Sequence, residues 1–320
     1  MQRRRFMGWA ALATAMPPVW AQGYPERPIK IYQGFAPGGN ADTIARLMGA
    51  EMGKGLNQPV VVEAQAGAGG NIAAGTVARA KPDGYTLLLA TGGHAVAGAL
   101  YQKLAYRSVA DFEMISTITF FPFLLVVQAD SKYRTLNQLL ADAQARPGSV
   151  SYGTAGVGST HHLAGELLAR TAKVEMQHVP YRGDAASITA VLAGELPMAI
   201  APPTAVMSHL KAGKLRALAV TSAQRWALMP DLPTVAEQGV AGYEVSSWAG
   251  LMAPAGTPRP VIERLNAEVR LALQQAPLRA RLADMGGEAR ASSPEDMKTL
   301  LTTELQRWTQ LVAEANIPKQ

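Results

Sequence analysis

Four short stretches hold the residues best suited to chemistry: Ala36-Pro37-Gly38-Gly39-Asn40, Gly67 to Asn71, Gly156-Val157-Gly158-Ser159-Thr160, and Arg182-Gly183-Asp184. Each runs into a segment of helical spacing, so each presents free backbone N–H groups at a helix start, where the dipole favours an anion. Glycine lets a ligand approach that backbone closely, because no Cβ intervenes. Arg182 brings a guanidinium that either grips a carboxylate through two parallel bonds or rides a surface turn. Ser159 and Thr160 either cap their helix or offer hydroxyls to a ligand, and His161 offers a ring nitrogen. Taken singly, any of these loops does no more than close a turn; four facing one cleft make a binding site. The anion they suit is a carboxylate. A nucleotide phosphate fits less well, since G-x-x-x-x-G-K-[ST] is absent and neither Gly67-Ala68-Gly69 nor Gly156-Val157-Gly158 completes G-x-G-x-x-G.

Catalytic arrangements are missing. No serine sits in G-x-S-x-G, and the chain has no cysteine, which excludes thiol nucleophiles, thiolate zinc sites and disulfides together. The neighbours His161 and His162 point about 100° apart on a helix, and no H-E-x-x-H accompanies them. His94, His178 and His209 are isolated and read as structural. Asp42 lies just inside the first helix, where an acid complements the dipole. No catalytic residue, metal site or cofactor is expected.

These loops need a scaffold, and the chain alternates strand and helix patterns twice. Ile29 to Phe35, Val60 to Glu63, Tyr85 to Thr91 and Glu113 to Phe120 read as strands. Helical spacing fills Asp42 to Gly53, with Ile44, Met48 and Met52 on one face, and runs from the second loop through Ala80. After Arg146-Pro147-Gly148 the pattern restarts. Val150 to Gly153, Met176 to Tyr181, Met198 to Ala201 and Leu215 to Thr221 are strands. Thr160 to Ala172, Ala185 to Ala193 and Thr204 to Ala212 are helices between them. Such alternation implies parallel α/β sheets, in which ligands collect beyond the strand carboxyl ends. Two apolar stretches, Phe123 to Val127 and Tyr243 to Ala253, complete the two halves as crossing strands. The expected architecture is two Rossmann-like lobes joined by a two-crossing hinge: residues 22–123 with 246–320, and residues 124–245. Pro258 to Ile317 reads as helical and folds back on the first lobe.

The 320 residues, 48% hydrophobic and 17% charged, exclude a disordered chain and exceed what one core usually organises. The net charge of +6 includes Arg3, Arg4 and Arg5, and the remaining basic residues form no stripe, so nucleic acid is not an expected partner. Met1 to Arg5 is positive, Phe6 to Ala15 apolar, and Val19-Trp20-Ala21 offers a cleavage site. Residues 1–21 are therefore read as a signal peptide, twin-arginine or Sec, exporting the chain to a periplasm.

The segment Phe35-Ala36-Pro37-Gly38-Gly39-Asn40-Ala41-Asp42-Thr43-Ile44-Ala45-Arg46 resembles the F-x-P-G-G-x-x-D-x-x-A-R stretch of the tripartite tricarboxylate transporter receptors, also called Bug proteins. So do Lys81-Pro82-Asp83-Gly84-Tyr85-Thr86-Leu87, Tyr152 to Ser159, His162-Leu163-Ala164-Gly165-Glu166, Val179 to Gly183, Lys211 to Thr221 and Ala253 to Pro258. The likeness runs in order along the mature chain. It implies a type 2 periplasmic binding protein, monomeric, that closes around a small carboxylate. The ligand would then pass to a membrane permease of one large and one small subunit. A periplasmic sensor showing the same ligand to a signalling partner is the alternative. The candidate ligand-binding residues are Phe35, Ala36, Pro37, Gly38, Gly39 and Asn40 in the first loop and Gly69 and Gly70 in the second. Thr91 ends the third strand; Thr154, Gly158, Ser159, Thr160 and His161 follow in the third loop, with Arg182 and Pro202 beyond. Two stretches depart from the family pattern. His94-Ala95-Val96-Ala97-Gly98 replaces a T-H-x-x-N-P-like stretch, and Ala201-Pro202-Pro203 replaces an aspartate-containing strand end, which makes that wall less polar.

Overall fold

The structure, a computed structural model, describes residues 23–314 and 316–320; the expected signal peptide lies outside the described residues. The first half runs β1 (Ile29–Gln33), α1 (Asn40–Leu56), β2 (Val60–Ala64), α2 (Asn71–Ala78), β3 (Thr86–Thr91), α3 (Gly93–Leu100) and β4 (Phe112–Pro122). Then come β5 (Leu124–Gln128), α4 (Leu136–Ala145), β6 (Val150–Thr154), α5 (Thr160–Thr171), β7 (Met176–Pro180), α6 (Asp184–Leu192), β8 (Met198–Ala201), α7 (Pro203–Lys211) and β9 (Leu215–Val220). The chain returns through β10 (Ser246–Pro254), α8 (Arg259–Ala272), α9 (Ala276–Asp284), β11 (Glu288–Ala289) and α10 (Pro294–Glu314).

Local sequence explains most of these elements. Strand β1 alternates, with Ile29, Ile31 and Gln33 buried. Helix α1 buries Ile44, Met48 and Met52 on one stripe and ends at Asn57, whose left-handed backbone (φ 51°) returns its N–H to the carbonyls of Gly53 and Lys54. Neither α3 nor α4 is expected from the spacing analysis. Helix α3, Gly93–Leu100, is buried almost all round, so no polar face marks its period. Helix α4 does carry signals, a Thr135 cap and a buried Leu136, Leu139 and Ala143 stripe. The C-terminal segment is not one helical run: β11 interrupts it and pairs antiparallel with β4 through Glu288–Phe120 and Ala289–Thr119.

Among the described residues two mixed sheets form, in the orders β11-β4-β10-β3-β1-β2 and β7-β6-β8-β5-β9. Strands β2, β1 and β3 are parallel, and so are β7, β6 and β8. Each parallel set is followed by one antiparallel strand supplied by a crossing chain, β10 in the first sheet and β5 in the second. The sheets are therefore mixed rather than purely parallel, because a chain entering from the opposite lobe arrives in the reverse direction.

Phe123 alone separates β4 from β5. Thr221 ties this crossing to the return: its Oγ1 accepts the Phe123 N–H (2.8 Å) and donates to the Val245 carbonyl (2.6 Å). The backbone N–H of Val245 in turn donates to the Thr221 carbonyl at 2.8 Å. These bonds make a compact two-strand hinge. Trp248 is buried in the core just beyond it. No helix among the described residues is long and apolar enough to cross a membrane.

Candidate ligand-binding site

The first loop is held from beneath. Buried Gln33 accepts the Phe35 N–H at 2.8 Å and donates to Asp42 at 3.2 Å. The other Asp42 oxygen accepts the Gly38 N–H (3.0 Å) and the Arg46 guanidinium (2.8 Å). Burial pushes the Asp42 carboxyl up, but donors from Arg46, Gly38 and Gln33 outweigh it and hold the group below its ordinary value. Asp42 thus shapes the loop from behind. Gly39, the cap residue of α1, makes no side-chain cap bond, which leaves that helix terminus to the cleft.

The third loop uses up some of its hydroxyls. Ser159, fully buried, donates to the Gly156 carbonyl (2.7 Å) and accepts the His162 N–H (3.3 Å), a helix cap. Thr154 Oγ1 bonds His178 Nε2 at 2.6 Å and accepts the Gly156 N–H at 3.2 Å. Thr160 Oγ1 and His161 Nδ1, in contrast, are buried without a partner. His161 Nε2 bonds Asp184 Oδ1 at 2.8 Å, and its ring stacks on Phe123 with centroids 4.8 Å apart. His162 turns the other way and stacks on His178 at 4.1 Å. Burial holds these two rings low, to about 4 for His162 and about 3 for His178.

Between the lobes Phe35, Asn40, Ala41, Thr91, Phe121, Phe123, Thr160, His161, Asp184, Pro202 and Ser247 enclose a cavity of about 30 Å³. The starts of α1, α5, α6 and α7 meet there, and no lysine or arginine lines it. Positive potential in the cavity therefore comes from helix termini and not from lysine or arginine.

Six of the expected residues meet in this cavity: Phe35, Asn40, Thr91, Thr160, His161 and Pro202. Gly38 and Gly39 border an outer groove of about 340 Å³ with Thr204 and Arg281. Gly69 and Gly70 sit on an adjoining cavity of about 20 Å³ beside His94 and Tyr106. Ala36 faces Gly183, where an added Cβ would stand 3.2 Å from the Ala36 Cβ. Pro37 is exposed, Thr154 and Ser159 lie behind the loop, and Gly158 abuts Tyr101. Arg182 does not line the cavity: the turn through Gly183 (φ 117°) leaves it in solvent and brings Asp184 to the cavity instead. Ala41, Phe121, Phe123, Asp184 and Ser247 escaped the candidate set. Phe121, Phe123 and Ser247 come from the crossing strands, whose position between the lobes is the signal that points to them.

Two α/β lobes, joined by two crossings and bringing helix termini to a shared cavity, have the architecture of a bilobed solute-binding receptor. The family model for the "Tripartite tricarboxylate transporter family receptor" matches residues 44–317. The protein of the tcbD-tcbE intergenic region of a Pseudomonas species is 40% identical over 316 residues, covering 98% of this chain and 94% of its own. Among solved structures, the periplasmic binding protein BugD superposes with a TM-score of 0.88 at 33% identity, covering 93% of this chain and 100% of that one. MatC from Rhodopseudomonas palustris with bound malate gives 0.86 at 35% identity, covering 90% and 100%. A second R. palustris protein, with adipate, gives 0.89 at 35% identity, covering 93% and 100%. The chain belongs to the tripartite tricarboxylate transporter receptor family, a family of periplasmic solute-binding proteins.

Proposed function

We propose that this receptor closes its lobes, residues 22–123 with 246–320 and residues 124–245, around a small carboxylate. It then delivers that ligand to a tripartite permease with one large and one small membrane subunit. Residues 1–21 export it, by the twin-arginine or Sec route, and the mature protein acts as a monomer. The observation that carries the reading is the pair of buried, unpartnered groups at the start of α5, Thr160 Oγ1 and His161 Nδ1, in a cavity ringed by helix termini. An unpaired buried polar group is costly, so a site built this way gains most when a ligand supplies the missing partner. Malate and adipate in the two R. palustris relatives support a carboxylate as that ligand.

Thermal melting of ligand-stripped protein against a panel of mono-, di- and tricarboxylates tests the reading. A true ligand at about 100 times its Kd adds about 2.7 kcal/mol. A panel that leaves every melting temperature unchanged overturns it. Delivery is tested separately, by uptake of a labelled ligand into vesicles carrying the permease, with and without the receptor.

A further inference from the structure

We propose that His161 meets the ligand carboxylate as an imidazolium, taking one proton from solvent on binding, with Asp184 as its fixed counter-ion. The inference rests on the carboxylate reading above. Its starting point is a conflict: a site that admits an anion already contains a buried carboxylate, Asp184, and no lysine or arginine.

The geometry resolves the conflict through one ring. An ionised carboxylate only accepts hydrogen bonds, so the 2.8 Å contact places a proton on His161 Nε2. Phe123 stacks against the ring and fixes its plane. Nδ1 is buried and without a partner, on a residue that lines the cavity and is only 6% exposed. A neutral ring offers a lone pair there, which repels a second carboxylate. Protonation converts it into a charged donor, and the cavity then holds an alternating series of Asp184, imidazolium and ligand.

His161 is the second residue of α5, and its Nε2 lies 2.8 Å from Asp184 Oδ1. Other titratable neighbours do not compete. His162 on the same helix and His178 on β7 are kept neutral by burial, and His162 Nδ1 accepts the Gly158 N–H at 3.4 Å. Glu166, 4.0 Å from His162, is engaged by the Tyr152 hydroxyl at 2.7 Å. Strands β3 and β4, the hinge and α1 contribute only uncharged groups to the cavity: Thr91, Phe121, Phe123 and Asn40.

Calorimetric titration with malate, adipate and citrate, in HEPES and in Tris, counts protons from the difference in buffer ionisation heat. The expected result is uptake approaching one proton per acid bound at pH 8, with Kd rising about tenfold per pH unit above that. His161→Asn is expected to bind more weakly, with no uptake and a pH-independent Kd. Should that variant not fold, the wild-type proton count decides alone. Acids that bind with no proton uptake and equal Kd at pH 6.5 and 8.5 overturn this proposal and leave the receptor reading intact. Failure of all three acids and of the wider carboxylate panel overturns both.

Discussion

Gly69 in the first lobe lies against Val157 in the second: a Cβ added to Gly69 would stand 2.6 Å from the Val157 carbonyl oxygen. The Tyr101 hydroxyl, also from the first lobe, donates to that same oxygen at 3.3 Å. The lobes thus meet backbone to backbone beside the cavity, an approach open only to glycine, and Gly69 also adopts φ 63°.

Gly69→Ala is expected to hold the lobes apart. Overpacking of this kind costs about 1–3 kcal/mol, which weakens ligand binding roughly 5- to 150-fold. Small-angle scattering would show a smaller radius of gyration for wild type with ligand than without, and little contraction in the variant. Equal contraction and equal Kd would remove this contact from closure.

Adjacent hydroxyls in the third loop are expected to report on different properties. Ser159→Ala removes the cap of α5 and costs about 0.5–2 kcal/mol of stability, read from urea unfolding. Thr160→Val removes a hydroxyl without a protein partner. It is expected to leave stability nearly unchanged and to weaken ligand binding by about 1–3 kcal/mol. Reversal of the two effects would place the ligand on Ser159 instead.

Asp42 links loop shape to pH. Its folded carboxyl is held below the ordinary 3.8, so the unfolded chain takes up that proton first as pH falls. Its contribution is fully present above that ordinary value and is lost as pH drops through the folded value. Asp42→Asn is expected to cost about 1.5–3 kcal/mol at pH 7, because bonds to a charged acceptor are lost. The gap to wild type should narrow below pH 3.8; a gap independent of pH in urea unfolding would show that Asp42 acts by shape alone.

Three histidines, His94 and His162 buried and His178 half-buried, act in the same sense at higher pH. Burial first, then neighbouring rings in two of them, holds His94, His162 and His178 to about 4, 4 and 3, against an ordinary 6.5. Between those limits the unfolded chain binds more protons, so stability is complete above pH 6.5 and falls as pH falls. Each contributes a slope approaching about 1.4 kcal/mol per pH unit. His94→Gln is expected to remove one such increment between pH 6 and 4.5, at some cost at pH 7 from its bond to the Ser108 carbonyl. An unchanged slope would mean that His94 is not held neutral.

What was legible along the chain is what short stretches of backbone decide among themselves. The Ile44, Met48 and Met52 stripe, the alternation of Ile29 and Ile31, and the glycine-rich helix starts each depend on neighbours within a few residues. From these the two α/β halves, their crossing strands and the helix starts that line the cavity could be read. Side-chain direction at the junctions could not. Arg182 and Asp184 are two residues apart, and only the turn at Gly183, packed on Ala36 of the other lobe, sends one to solvent and the other to the cavity. Ser159 and Thr160 are adjacent and chemically alike, yet one hydroxyl caps α5 and the other stays free, which depends on where the Gly156 carbonyl folds back. The His161–Asp184 pair joins positions 23 residues apart. The reversed strands β5 and β10, and the hinge residues Phe121 and Phe123 as cavity walls, arise where distant segments converge. Local pattern determined the helix starts; long-range packing decided which atoms at those starts remain unbonded.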